Sequence, residues 1–337
     1  MKKGKLLTLL PFIMMTLTSC RNIRDSSKAD SNNGSNNSQA NSEGVDVKTI
    51  GICQLVAHPA LDKATNGFKK AVSEGLGEAN VRFDLQEAAG DSATCATICN
   101  SFVSKKVDLI MANATPALQA AANSTMSIPV LGTSITEYGV ALNIKNFNGT
   151  VGGNISGTSD LAPLDGQANM FTELLPNAKK IGLLYCSGEA NSKYQIDTVK
   201  KLLDDKGLTT KVISFAESNQ LSSVLTAGIV GLDALYIPTD NVCADNTNMI
   251  DSICRPAKLP VICGEEGLCA GCGIATLSID YFNLGVKTGE MAVEILKDGK
   301  DISKMPIAYD TNPAKKFNKQ ICEELGITVP SSYVEIA

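Results

Sequence analysis

Apolar residues in this chain fall in short runs closed by turn residues, and the stretches between them have helical spacing. The clearest run is Val107-Asp-Leu-Ile-Met-Ala-Asn-Ala-Thr115-Pro116, which reads as a buried strand, a loop and then a helix over 116–123. Pro116 suits a first helical turn, where its missing N–H has no intrahelical partner anyway. The same rhythm predicts strands over 47–53, 81–86, 128–131, 212–215 and 274–280, and another at Ile181. It predicts helices over 60–74, 93–104, 165–175, 220–228 and 284–297, and one ending near Lys206. Asp91-Ser92 caps the second of these helices. Strands alternating with helices predict an α/β fold with parallel sheets.

The pattern is also duplicated. Leu232-Asp-Ala-Leu-Tyr-Ile-Pro-Thr-Asp240 has the shape of Val107 to Thr115, with Asp233 in the place of Asp108. Lys179-Lys-Ile-Gly-Leu-Leu184 matches Lys48-Thr-Ile-Gly-Ile-Cys53, and Lys258-Leu-Pro-Val-Ile-Cys-Gly264-Glu265 matches Ser127-Ile-Pro-Val-Leu-Gly-Thr133-Ser134. Three units recur in order at a shift of roughly 130 residues. This predicts two similar, doubly wound α/β lobes whose strand ends face one another across a cleft, where small ligands bind. The first lobe is expected over 47–158 plus 281–306, and the second over 159–280 plus 307–337.

The N-terminus has different chemistry. Lys2, Lys3 and Lys5 precede an apolar stretch from Leu6 to Leu17 that is too short, and too interrupted by Pro11, to span a bilayer. Leu17-Thr18-Ser19-Cys20 resembles a bacterial lipobox, so residues 1–20 are expected to be a lipoprotein signal peptide with Cys20 the lipidated residue. Residues 21–46 are Ser- and Asn-rich and nearly free of apolar side chains, as in a disordered tether. The expected place is the outer face of the cell membrane, held there by lipid.

Composition changes the picture little. The chain has 337 residues, 44% of them hydrophobic, and a formal net charge of −5. No basic patch points to nucleic acid. Setting Cys20 aside leaves ten of the eleven cysteines, among them Cys269 and Cys272 in a C-x-x-C that reads as a Gly-rich loop. Disulfides, a metal and reduced thiols all fit such a set, although a lone C-x-x-C offers only half of a zinc site. No catalytic set is apparent: there is one histidine, His58, and no phosphate-binding, zincin or nucleophile-elbow motif. Neither an enzyme nor a cofactor is expected.

The loop tips differ between the lobes. The first lobe offers His58, Thr115 and Ser134; the second offers Glu189, Asp240 and Glu265. Hydroxyls at helix N-termini suit a carboxylate, whereas carboxylates suit an ammonium. This asymmetry predicts an α-amino acid as ligand, with Thr115 and Ser134 on its carboxylate and Asp240 and Glu265 on its ammonium. Tyr138, Tyr281 and Phe282 fall near strand ends or crossings and can stack on an apolar side chain or fill the core.

Ile52-Cys-Gln-Leu-Val-Ala-His-Pro-Ala-Leu-Asp62, Ala114-Thr-Pro-Ala-Leu-Gln-Ala-Ala-Ala122, Leu174-Leu-Pro-Asn-Ala-Lys-Lys-Ile-Gly182, Gly188-Glu-Ala-Asn-Ser192, Pro238-Thr-Asp-Asn241 and Ile279-Asp-Tyr281 closely resemble the ABC-transporter substrate-binding proteins of the tryptophan/tyrosine type. The resemblance runs from about Val47 to the C-terminus. It implies a type I periplasmic-binding-protein fold with two lobes joined by three crossover segments. It also implies a monomer that captures an aromatic amino acid (Tyr, Trp or Phe) for an ABC permease. Motif by motif, it places Gln54, Leu55, Thr115, Ser134, Asp160, Asn191, Ser192, Asp240, Asn241, Glu265 and Asp280 around the ligand. The many cysteines, and the stretch Gly132-Thr-Ser-Ile-Thr136, depart from the family pattern. A surface lipoprotein acting mainly in adhesion or sensing, with an inherited cleft, is the alternative that the anchor and tether equally permit.

Overall fold

In the computed structural model of the protein, which describes residues 47–310 and 312–336, the elements alternate as the pattern requires. The first half runs β1 (Lys48–Gln54), α1 (Pro59–Leu76), β2 (Val81–Glu87), α2 (Ser92–Lys105), β3 (Leu109–Asn113), α3 (Thr115–Ser124), β4 (Val130–Ile135), α4 (Tyr138–Ala141) and β5 (Ile155–Ser159). Next come α5 (Leu164–Leu174), β6 (Lys180–Cys186), α6 (Ala190–Asp205), β7 (Thr209–Phe215), α7 (Ser218–Gly228), β8 (Ala234–Ile237), α8 (Asn241–Asp245) and α9 (Thr247–Cys254). The chain ends with β9 (Val261–Cys263), α10 (Glu266–Cys272), β10 (Ala275–Ser278), α11 (Tyr281–Leu296), β11 (Ala308–Tyr309), β12 (Ala314–Phe317), α12 (Lys319–Leu325) and β13 (Val334–Glu335).

These strands form two sheets. One has the order β11-β5-β4-β3-β1-β2, and all its pairs are parallel. The other has the order β13-β12-β10-β9-β8-β6-β7, with β12 antiparallel to β10. Each sheet is covered on both faces by apolar clusters, as a parallel sheet flanked by helices must be. A smaller cluster of Ala60, Ala64, Ala162, Ile279, Tyr281 and Leu284 sits where the chain passes between the lobes. The chain makes three passes: after β5, between β10 and α11, and between β11 and β12.

The duplication is visible atom by atom. In the first lobe the Thr49 N–H donates to Asp108 Oδ2 at 2.7 Å, and the Asp108 N–H donates to the Thr49 carbonyl at 2.8 Å. In the second the Lys179 and Lys180 N–H groups each donate to Asp233 Oδ2 at 2.8 Å, and the Asp233 N–H donates to the Lys180 carbonyl at 2.8 Å. The two aligned aspartates thus make the same clamp on the first strand of each lobe.

Three sequence expectations need correction. Residues 308–309 pair with β5, so the chain returns to the second lobe after Tyr309 and not at residue 307. The C-x-x-C does not lie in a loop: Cys269 and Cys272 are on α10, whose Gly267 and Gly271 do not break it because its first turn is capped by Glu265. The helix after the second copy is split into α8 and α9 at Asn246. All ten cysteines of the described residues are free, buried thiols. Burial pushes Cys186 and Cys254 up to about 12, away from the reactive thiolate form. No described helix is long and apolar enough to cross a membrane. The signal peptide, Cys20 and the tether lie outside the described residues.

Helices α1 and α11 pack closely enough to need glycine. A Cβ on Gly285 would sit 1.9 Å from the Ala64 carbonyl oxygen, which belongs to backbone and cannot swing aside. Gly285→Ala is therefore expected to lower stability by about 3 kcal/mol, at the upper end for overpacking. A urea midpoint equal to that of the parent protein would show that the two helices can separate without cost.

Candidate functional site

Both sheets present the carboxyl ends of their parallel strands to the same gap, and the helix N-termini that follow supply its polar groups. From the first lobe come His58 before α1 and Ser134 and Thr136 at the end of β4, and Asp160 lies at the crossing after β5. From the second come Asn191 in the first turn of α6, Thr239 and Asp240 before α8, and Glu265 before α10. Tyr281 opens α11 at a crossing. Together with Leu61, Asn241 and Ala244, these residues line a small pocket.

The lobes touch around this pocket. His58 Nε2 lies 3.2 Å from Asn241 Oδ1, and the Thr136 and Thr239 hydroxyls are 3.3 Å apart. Gln195 Nε2 donates to Thr239 Oγ1 at 2.6 Å and reaches Thr136 Oγ1 at 3.5 Å. Toward one edge, Lys63 of α1 meets Glu266 of α10 at 3.6 Å. The cleft is closed.

Polar atoms inside it are left without partners. His58 Nδ1, Ser134 Oγ, Asp160 Oδ1 and Asn191 Oδ1 all line the pocket, are buried, and have no hydrogen bond among the described residues. A buried unpaired polar group costs about 1–3 kcal/mol, so four in one small space mark a place built for something polar. The backbone is strained here as well. Ser134 has φ 56°, and Ala114, which precedes α3, has φ 90° and ψ 156°, a region that glycine alone occupies readily. The turn at Ala114 leaves the N-terminus of α3 without a side-chain cap. Ala114→Gly is expected to raise stability by about 1 kcal/mol, because it relieves that strain. Chemical denaturation checks this, and a lower midpoint would contradict it.

The carboxylates differ in what they already hold. Asp240 accepts the Cys186 N–H on Oδ2 at 2.7 Å and the Cys243 N–H on Oδ1 at 2.9 Å, tying β6 to the start of α8. Glu265 accepts the Gly267 N–H at 2.6 Å and the Leu268 N–H, capping α10. Glu189 accepts the Val242 N–H at 3.0 Å, the Asn241 N–H at 3.1 Å, the Asn191 side-chain amide at 3.1 Å and the Asn241 side-chain amide at 2.6 Å. Burial first, and the neighbouring Asp240 second, push Glu189 up to about 8. Asp160 alone keeps an oxygen free: the Tyr281 hydroxyl donates to Oδ2 at 2.9 Å, while Oδ1 has no partner. Burial pushes Asp160 up to about 6, and the hydrogen bond from Tyr281 pulls it back only in part.

Of the residues expected at the ligand, Ser134, Asp160, Asn191, Asp240, Asn241 and Glu265 line this pocket. Gln54 does not: its amide donates to Val56 and Asp62 and accepts from Thr65, inside the first lobe. Leu55 lines an adjoining groove. Thr115 is buried with its hydroxyl unpaired and does not line the pocket. Ser192 is buried and accepts from Asn191. Asp280 is exposed and caps α11. The two carboxylates expected to take an ammonium are thus the ones most committed to backbone. Sequence reading could not see this, because a capping aspartate and a ligand-binding one look alike at a loop tip. It missed Thr136 and Thr239, which only the meeting of the lobes brings together.

The comparisons with known proteins fit this architecture. Residues 49–337 match the family model described as ABC transporter substrate binding protein. The chain belongs to that family. It is 37% identical over 280 residues to a tyrosine-binding protein of Clostridioides difficile (strain R20291), covering 82% of this chain and 81% of that one. Among solved structures, an ABC domain from Streptococcus pneumoniae in complex with L-Trp is 33% identical, with a TM-score of 0.81 over 85% of this chain and 97% of that one. A substrate-binding protein with adhesive properties from Clostridium difficile, in its ligand-free, open form, is 37% identical with a TM-score of 0.66, over 86% of this chain and 99% of that one. That structure is ligand-free and open, whereas the cleft here is closed. The protein has the type I periplasmic-binding-protein fold, and substrate-binding proteins of this family work outside the cytoplasm.

Proposed function

We propose that this protein captures an aromatic amino acid between its lobes and delivers it to an ABC permease from a lipid anchor on Cys20. The observation that carries the reading is the free Asp160 Oδ1, buried in a pocket with three other unpaired polar atoms. A buried carboxylate held by one hydroxyl calls for a cation, and an α-ammonium supplies it. The ligand carboxylate falls to the first lobe, where Ser134 Oγ is unpaired and the N-terminus of α3 has no side-chain cap. The ring then extends toward the groove lined by Leu55, Val56, Pro116 and Val242, which adjoins the pocket at Asn241. The relatives named for tyrosine and crystallised with L-Trp support an aromatic side chain.

A ligand that touches both lobes favours closure by population shift. Of the pocket carboxylates, Asp240 and Glu265 cap helices, which leaves Asp160 for the ligand. Calorimetric titration of the protein with the twenty amino acids tests the proposal. Binding confined to aromatic ones is expected, and no heat from any of them would end it. A role in adhesion is the second reading, favoured by the adhesive relative alone.

A further inference from the structure

An ion pair ties the lobes together from outside the pocket. Lys63 Nζ, on α1 of the first lobe, lies 3.6 Å from Glu266 Oε1, at the start of α10 in the second. Among the described residues every other ion pair is made within one lobe. Lys63 does not line the pocket, but the pair borders a groove shared with Pro59, Glu265, Gly267 and Tyr281. Glu265 and Tyr281 belong to the pocket as well, so the contact closes one edge of the cleft, between the pocket and water. The first turns of α1 and α10 meet here: a Cβ on Gly267 would lie 3.4 Å from Pro59 Cβ.

Glu266 is held in place by its own lobe. Lys316 of β12 donates to Glu266 Oε2 at 2.5 Å, and the neighbouring Glu265 caps the same helical turn. Burial pushes the Glu266 carboxyl up, but Lys316, and after it Lys63, outweigh burial and hold the group below the usual carboxylate range. It is therefore ionised at neutral pH. When the lobes part, Lys63 must leave Glu266, whereas Lys316 and the Glu265 cap travel with it. The carboxylate thus waits in a fixed position, and closing the pair orders only one lysine side chain.

We infer that Lys63 and Glu266 form an electrostatic latch that slows the escape of a captured amino acid. The inference rests on the capture reading above and adds to it residues that lie outside the pocket. Lys63 is a positioning residue: it acts on the ligand through the closed state. A half-exposed pair of this kind contributes modestly and is screened by salt. An α-amino acid carries no net charge, and its charged ends are buried in the closed cleft, so added salt weakens the latch more than the ligand contacts.

The test is the release rate of isotope-labelled L-tyrosine from the full protein, chased with unlabelled ligand at about 0.05 M and about 1 M salt. In Lys63→Met, which keeps a long unbranched side chain and loses the charge, release should be about two to five times faster at low salt. High salt should speed release from the parent protein by a similar factor and leave Lys63→Met unchanged. Lys63→Glu sets like charges across the cleft and should release about tenfold faster than the parent. Lys70→Met is the control: it removes a charge from the same helix, but its partner Glu74 lies in the same lobe at 2.8 Å, so release should match the parent. Equal release from the parent and Lys63→Met at low salt, or equal acceleration by Lys70→Met and Lys63→Met, would overturn the latch and leave the capture reading standing. A parent protein that takes up no L-tyrosine would overturn both.

Discussion

Asp160→Asn is expected to weaken L-tyrosine binding by about 3 kcal/mol, on the order of a hundredfold, without lowering stability. The side chain keeps its size and its hydrogen bond to Tyr281, but the charge that faces an α-ammonium is gone. In the absence of ligand the same change removes a buried, half-satisfied carboxylate, so the melting temperature should stay level or rise. Asp240 is the informative contrast. Its two oxygens hold the amides of Cys186 and Cys243, so Asp240→Ala should cost about 1–2 kcal/mol of stability through the lost cap before any effect on binding is counted. Titration calorimetry and thermal melts on both variants separate the roles. Equal loss of binding in both, with a destabilised Asp160→Asn, would contradict the assignment.

Stability is expected to fall by several kcal/mol as pH rises from about 5 to about 8.5. Asp160 moves from an ordinary 3.8 up to about 6 in the folded protein, and Glu189 from 4.5 up to about 8, both chiefly by burial. Between the ordinary and folded values the folded state binds more protons than the unfolded one. Stability therefore declines as pH rises, through 3.8 to about 6 for Asp160 and through 4.5 to about 8 for Glu189. The first step alone is worth on the order of 3 kcal/mol. A saturating amino acid should flatten it, because an ammonium beside Asp160 favours the ionised form; equivalently, affinity tightens as pH rises through about 6. Urea midpoints between pH 5 and 8.5, with and without L-tyrosine, measure both effects. A midpoint that climbs with pH across this range would contradict the burial of these carboxyls.

The fold was largely legible in the sequence because parallel sheets announce themselves. Strands such as Leu109–Asn113, buried on both faces, are continuous apolar runs, and the aspartates at 108 and 233 recur because each clamps the same strand start. The departures came where local signals mislead. Gly267 and Gly271 made α10 look like a loop, yet Glu265 caps it and a close approach to Thr247 requires glycine at 271. The short edge strand at 308–309 carries almost no pattern of its own.

The site was legible in outline only. Loop tips at strand ends could be located from the rhythm of the chain, and six of the eleven expected residues line the pocket. What each carboxylate does depends on which backbone amides point at it, and no sequence pattern records that. Glu265 and Asp240 proved to be caps, while Asp160, expected at the ligand but given no role there, has the free oxygen. Likewise Glu189, at the start of α6, meets the Asn241 side chain at the start of α8, a contact that no spacing along the chain records.

A crystal structure of the protein grown with L-tyrosine is the most direct measurement. It should show the amino acid enclosed between the lobes, with its ammonium within about 3 Å of Asp160 Oδ1. An empty cleft at saturating tyrosine, or a ligand whose ammonium sits on Asp240 or Glu265 with Asp160 Oδ1 untouched, would contradict it.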